Sequence, residues 1–214
     1  MNKLIVLFIL GLILACKEEK RYHDVNSTKL ETIKSDKLAD ILAFQKELNE
    51  EYKNPETSPL PDRYRKDFET LDFFPPDTNY VITAEFIRTP DALPFSMPTT
   101  TERESTEVVY GIAKFNLNGK AVELEIYQSP ELIEQEKYRE YLFLPFTDET
   151  NGKDTYEGGR YLDLTIPKGN RIILDFNKAY NPYCAYNKKY SCPLVPPVNN
   201  ISALVKAGVK DFEH

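Results

Sequence analysis

Between residues 36 and 53 apolar side chains recur at helical spacing. Leu38, Ile41, Leu42, Leu48 and Tyr52 fall near one face, with Lys and Glu opposite. Ser35 stands where an N-cap belongs, and Asn54-Pro55 ends the pattern. This amphipathic helix is expected to pack on the chain's own core. Residues 54–78 are rich in proline (Pro55, Pro59, Pro61, Pro75, Pro76) and read as an irregular connection pinned by Phe68, Leu71, Phe73 and Phe74. From residue 80 the pattern is strand-like. Strands are expected over 80–87, over 107–117, and after Asn118-Gly119, where Val122, Leu124 and Ile126 alternate with Glu123 and Glu125. Prolines 90, 94 and 98 predict a loop over 90–101, and 130–138 a short helix. Residues 141–146 read as a strand. Residues 161–166 and 172–176 flank Pro167-Lys168-Gly169-Asn170 as a second hairpin, and 201–205 form a last short strand. The fold class is therefore mainly β (α+β): an antiparallel β sandwich or partly open barrel with one N-terminal helix.

The first residues follow a different logic. Lys3 precedes an apolar run over 4–14, too short for the roughly 20 residues that span a bilayer but right for a secretory signal. Ile13-Leu14-Ala15-Cys16 resembles the lipobox of bacterial lipoproteins, in which the bond before the cysteine is cut and the thiol takes a diacylglycerol, palmitate being one such acyl chain. The resemblance implies a signal peptide over 1–15 and a lipid-anchored flexible tether over 16–34. A single globular domain over 35–214 follows, held by Cys16 to a membrane of the cell envelope. Lys17-Glu18-Glu19-Lys20 is similar to surface-export signals of some Gram-negative lipoproteins, and reads equally as a solvated tether. The outer membrane, on its periplasmic or surface face, is the expected location.

Composition then removes functions. A formal charge of −7 argues against nucleic acid as a partner. The 2 histidines are His23, in the tether, and the terminal His214, so an imidazole-based nucleophilic site is not expected. There is no HExxH, Walker loop or GxGxxG. No cofactor is expected and no metal, because the acidic loops lack EF-hand spacing. Cys184 and Cys192 are close in sequence and, in an exported chain, read first as a disulfide stabilising by roughly 2–3 kcal/mol, with free thiols or a metal site as the alternatives.

The densest chemistry lies between residues 141 and 197. "LFLPFTDETNGKDTYEGGRYLDL" followed by "LDFNKAYNPYCAYNKKYSCPL", with "LDFFPPD" and Phe95-Ser96-Met97-Pro98 upstream, resembles the family of domains of unknown function numbered 1684 and its lipoprotein members. The resemblance covers about residues 50–212 and implies no activity. Many members carry Glu-Asn after the double proline, where this chain has Val198-Asn199.

Read physically, Arg160 follows two glycines and is either a fork for an anionic or carbonyl group or a structural cation paired with Asp163 or Asp175. Tyr180, Tyr183, Tyr186 and Tyr190 recur around Asn177 and Asn181 and, with Tyr156, offer flat apolar faces and polar tips suited to a sugar-like ligand; they read also as a cross-linked cover over the barrel end. Three functions are carried forward: a binding module for a small polar ligand, a hydrolase using two of Asp148, Asp163 and Asp175, and an envelope assembly protein.

Overall fold

The computed structural model describes residues 24–212, with side chains from Lys34 onward. The leader, Cys16, the charged residues after it, His23 and His214 lie outside the described residues. No helix among the described residues is long and apolar enough to cross a membrane.

Helix α1 (Asp24–Lys53) begins well before the expected residue 36. Nothing between Asp24 and Lys53 is Gly or Pro, so no residue breaks the ladder, and Ser35 lies within the helix instead of capping it. Ile41, Leu48 and Tyr52 are buried as the spacing predicts, whereas Leu38 and Leu42 are exposed. One turn of helix, α2 (Asp62–Arg65), follows Pro61.

The rest is mainly β. Eight strands, β1 (Val81–Arg88), β2 (Phe95–Pro98), β3 (Glu104–Leu117), β4 (Lys120–Gln128), β5 (Tyr141–Asp148), β6 (Arg160–Thr165), β7 (Arg171–Asp175) and β8 (Asn200–Ile201), make one nearly closed, barrel-shaped sheet. Its order is β6-β5-β4-β3-β1-β7, with β2 on β3 and the short β8 parallel to β5; the other pairings are antiparallel. The partly open barrel is thus the form the β pattern takes. The β3–β4 hairpin turns at Asn118 and Gly119, both at positive φ (52° and 81°), the turn whose twist matches the flanking strands. Alternation along the strands sends Ala84 and Phe86, Leu124 and Ile126, Leu142, Leu144 and Phe146, and Ile172 and Leu174 into one core.

Four expectations are corrected. Pro94 and Pro98 do not abolish a strand: β2 pairs with β3 alone, and an edge strand tolerates proline. The segment 130–138 forms two 3-10 turns, Leu132–Glu134 and Glu136–Tyr138, in place of a helix. β6 and β7 are not a hairpin. β6 pairs with β5 and β7 with β1, and Phe86 N donates to Asn170 O at 2.9 Å, so the turn-like sequence 167–170 leads the chain across the seam. Last, the strand expected over 201–205 stops after Ile201.

A buried ion pair explains that stop. Arg160 is fully buried and its Nη2 donates to Asp148 Oδ2 at 2.8 Å and to Val205 O at 2.8 Å, while Nη1 donates to Ala207 O. Asp148 Oδ1 accepts from Val205 N at 3.1 Å. The backbone over 205–207 therefore satisfies its polar groups on side chains, those of Arg160 and Asp148 and, for Lys206 N, the Tyr80 hydroxyl, instead of on a neighbouring strand. Gly159, at φ 92°, makes this approach possible: a Cβ there would stand 2.7 Å from Phe146 O and 2.6 Å from Val195 Cγ2. Arg160→Met leaves Asp148 charged and alone in the core and strips the carbonyls of Val205 and Ala207. The expected loss is about 3–5 kcal/mol of unfolding free energy in urea titrations, only partly recovered by Arg160→Lys, which brings charge without the planar fork.

Candidate functional site

Alternation on β6 sets the site. Arg160 and Leu162 point into the core, so Tyr161 and Asp163 point the other way. The segment after β7 is laid along that face by a reciprocal backbone pair, Tyr161 N to Tyr180 O at 2.9 Å and Tyr180 N to Tyr161 O at 3.1 Å. Helix α1 supplies the opposite wall. Between them runs a groove of about 470 Å³, lined on the helix side by Phe44, Glu47, Leu48 and Glu51 and on the other by Tyr161, Asp163, Tyr180, Tyr183 and Tyr190. The rings brace one another edge to face: Tyr161 on Phe143 at 4.8 Å and on Tyr180 at 6.0 Å, while Tyr183 leans on Tyr190 at 5.2 Å.

Asp163 is the polar centre of this groove. Its Oδ1 accepts two phenolic O–H bonds, from Tyr141 and Tyr180, each at 2.7 Å. Burial, then the charge of Asp163, pushes the pKa of both phenols far above the ordinary tyrosine value, so both remain donors. No cationic side chain pairs with Asp163 among the described residues. On the helix wall, Tyr183 donates its hydroxyl to Glu51.

A second hollow, about 430 Å³, adjoins the groove and shares Tyr161, Tyr180 and Pro193 with it. Glu107 of β3 reaches into it. Only 4% of Glu107 is exposed, one carboxyl oxygen accepts from Ser105 Oγ at 2.8 Å, and the other has no partner among the described residues. Burial raises the pKa of this carboxyl, against the lowering effect of the Ser105 hydrogen bond and of Arg103.

The remaining residues expected at a site stand elsewhere. Arg160 pairs with Asp148, not with Asp163 or Asp175, and its guanidinium does not line the groove. Asp175 caps the 3-10 turn Phe176–Lys178, accepting from Asn177 N at 3.1 Å, and Asn177 ties that turn to Asp77 through its side-chain amide. Asn181 donates to Lys210 O at 2.8 Å, and Tyr186 is buried against Tyr52 and Phe212. Tyr156 packs at the cysteines; burial and then Cys184 push its pKa up to about 12. Cys184 and Cys192 are thiols side by side, with Cys184 N 3.1 Å from Cys192 Sγ. The hydrogen bond from Cys192 draws the Cys184 pKa down to about 6 and pushes that of Cys192 up. Val198, the position that departs from the family pattern, is exposed and outside both hollows, while Asn199 is buried and bonds the backbone of Glu125 and Pro145.

Asp163, Tyr180, Tyr183 and Tyr190 are thus the sequence-predicted residues that the fold brings together in the groove. Tyr141, Tyr161, Glu47, Glu51 and Glu107 join them without having been singled out. Glu47 and Glu51 carried a usable signal, being one helical turn apart beside Leu48 on the face that packs. Glu107 carried none, since a charged residue at a strand start reads as solvent-facing.

Comparison with known proteins agrees with this fold. A solution NMR structure of an uncharacterized protein from gene locus rrnAC0354 of Haloarcula marismortui is 30% identical, covers 89% of this chain and 100% of its own, and superposes with a TM-score of 0.65. No curated protein matches the chain. Residues 66–210 match the family model described as "Protein of unknown function (DUF1684)", and the chain belongs to that family.

Proposed function

We propose that this chain is a lipid-anchored, extracytoplasmic lipoprotein of the cell envelope whose domain binds a small polar ligand in the groove between α1 and the tyrosine segment. The observation that carries the reading is Asp163. It is an exposed carboxylate held in place by two phenolic donors, has no cationic partner among the described residues, and faces a cavity walled by aromatic rings. Such a group keeps lone pairs for the hydroxyl or amine donors of a ligand, while tyrosine faces cover its apolar parts. The binding reading stands ahead of a carboxylate hydrolase because Asp148 and Asp175 are committed to Arg160 and to a turn cap, which leaves Asp163 alone of those three in the groove. The anchor rests on the Ile13-Leu14-Ala15-Cys16 segment. The outer membrane is its proposed location. In an oxidising compartment Cys184 and Cys192 join as a disulfide, for which a low-pKa thiol beside a second thiol is a ready precursor.

Each part has its own measurement. Expressed in a Gram-negative host with labelled palmitate, the chain takes up label, and Cys16→Ala does not; equal labelling of both removes the anchor. Alkylation of the purified envelope form modifies Cys184 and Cys192 only after reduction; modification without reductant shows them unpaired. For the groove, the full chain is screened by thermal shift against monosaccharides, nucleosides, organic acids and amines. A ligand at about ten times its Kd stabilises by roughly 1.4 kcal/mol. The shift is lost in Asp163→Ala while that variant still melts cooperatively. No shift from any class, or a shift unaltered by Asp163→Ala, overturns the groove as the site.

A further inference from the structure

Charge on the groove walls narrows the ligand. Three carboxylates, Glu47, Glu51 and Asp163, line it, and among the described residues no Lys, Arg or His does. None of the three takes part in an ion pair among the described residues. An anion entering here meets uncompensated negative charge in a partly desolvated cleft. A neutral polyol can use the acceptor oxygens but leaves the charges opposed by nothing. An ammonium group does both, and four tyrosines, Tyr161, Tyr180, Tyr183 and Tyr190, line the groove with rings of the kind that attract a cation. Lys189 already sets its ammonium 4.9 Å from the Tyr190 ring centroid.

The adjoining hollow carries an independent requirement. Glu107 is buried there with one carboxyl oxygen that no group among the described residues satisfies. The cation nearest in that wall, Arg103, is held elsewhere: its Nε donates to Ser191 Oγ at 3.2 Å and its Nη2 to Ser191 O at 3.0 Å. A buried acceptor without a donor is costly, and a donor brought by a ligand removes the cost. Tyr161, Tyr180 and Pro193 line both hollows, so the two acidic positions share one wall of rings, an apolar surface suited to methylene groups.

Resting on the groove as the binding site, we infer that its ligand is a small organic cation of the alkyl diamine or polyamine class, with one ammonium at Asp163 and a second nitrogen at the free oxygen of Glu107. The ligand is selected by two separated charges joined by an apolar chain.

Calorimetric titration of the full chain with 1,4-diaminobutane, spermidine, butylamine and glucose tests this. The diamine or spermidine binds at least about tenfold more tightly than butylamine, and glucose gives no heat. Asp163→Asn, which keeps an acceptor for the two phenols but removes the charge, weakens every amine by about tenfold or more. Glu107→Gln brings the diamine and spermidine down to the level of butylamine and leaves butylamine unchanged. Circular dichroism melts confirm that both variants are folded. Amine binding that ignores both substitutions is attraction to the acidic surface at large and overturns the inference. If amines fail while a neutral or anionic ligand still gives an Asp163-dependent thermal shift, the cation class is overturned and the groove stands. If no class binds in the groove, the groove reading falls, and this inference with it.

Discussion

The Arg160–Asp148 pair is the contact on which the C-terminal third of the molecule depends. Arg160 opens β6 and Asp148 closes β5, so the pair joins the ends of two neighbouring strands. It then reaches outward to the backbone over 205–207 and fixes a segment that has almost no strand ladder of its own. A buried ion pair is an expensive way to gain stability, and apolar replacements of both partners are often as good. What it supplies here is position. With Arg160 locked inward, the period-two geometry of β6 leaves Asp163 no choice of face, and Asp163 is the centre of the groove.

The groove shows a division of labour between burial and exposure. Tyr141 and Tyr180 are held so firmly as donors that the carboxylate they serve is fixed in orientation, much as a second shell fixes a metal ligand. Asp163 itself stays accessible. Glu107 is the reverse: the carboxyl is enclosed, and its free oxygen is the unsettled element. The same strand-and-loop framework thus holds two carboxyls in opposite states of solvation on either side of one aromatic wall.

Much of the barrel was legible in the sequence because its signals are local. Alternation at Val122, Leu124 and Ile126 and the Asn118-Gly119 turn define β4 and its hairpin directly. The turn-like Pro167-Lys168-Gly169-Asn170 misleads for the same reason: composition marks a change of direction but not which strand comes next, and that is decided by pairing of β7 with β1. At the site, tyrosines and an aspartate could be seen as unusual chemistry, yet their grouping could not. Arg160 drew attention as a ligand fork because a sequence does not state burial. Its partner Asp148 lies twelve positions back, and the carbonyls it binds lie some forty-five ahead. Glu47 and Glu51 enter the groove only because α1 packs across it from the far end of the chain.

The pairing of β1 with β7 has a kinetic side. β1 is the first strand of the sheet to be made and β7 the last before the tyrosine segment, with register partners such as Val81 and Asp175 separated by most of the barrel. Contacts of such long sequence range form slowly, because the intervening loop must be ordered before they contribute. Until β7 arrives, β1 offers a bare row of backbone donors and acceptors on one side, the feature by which strands recruit the wrong neighbour. The wait for β7 is therefore an exposed moment of the sheet on the way to the folded state.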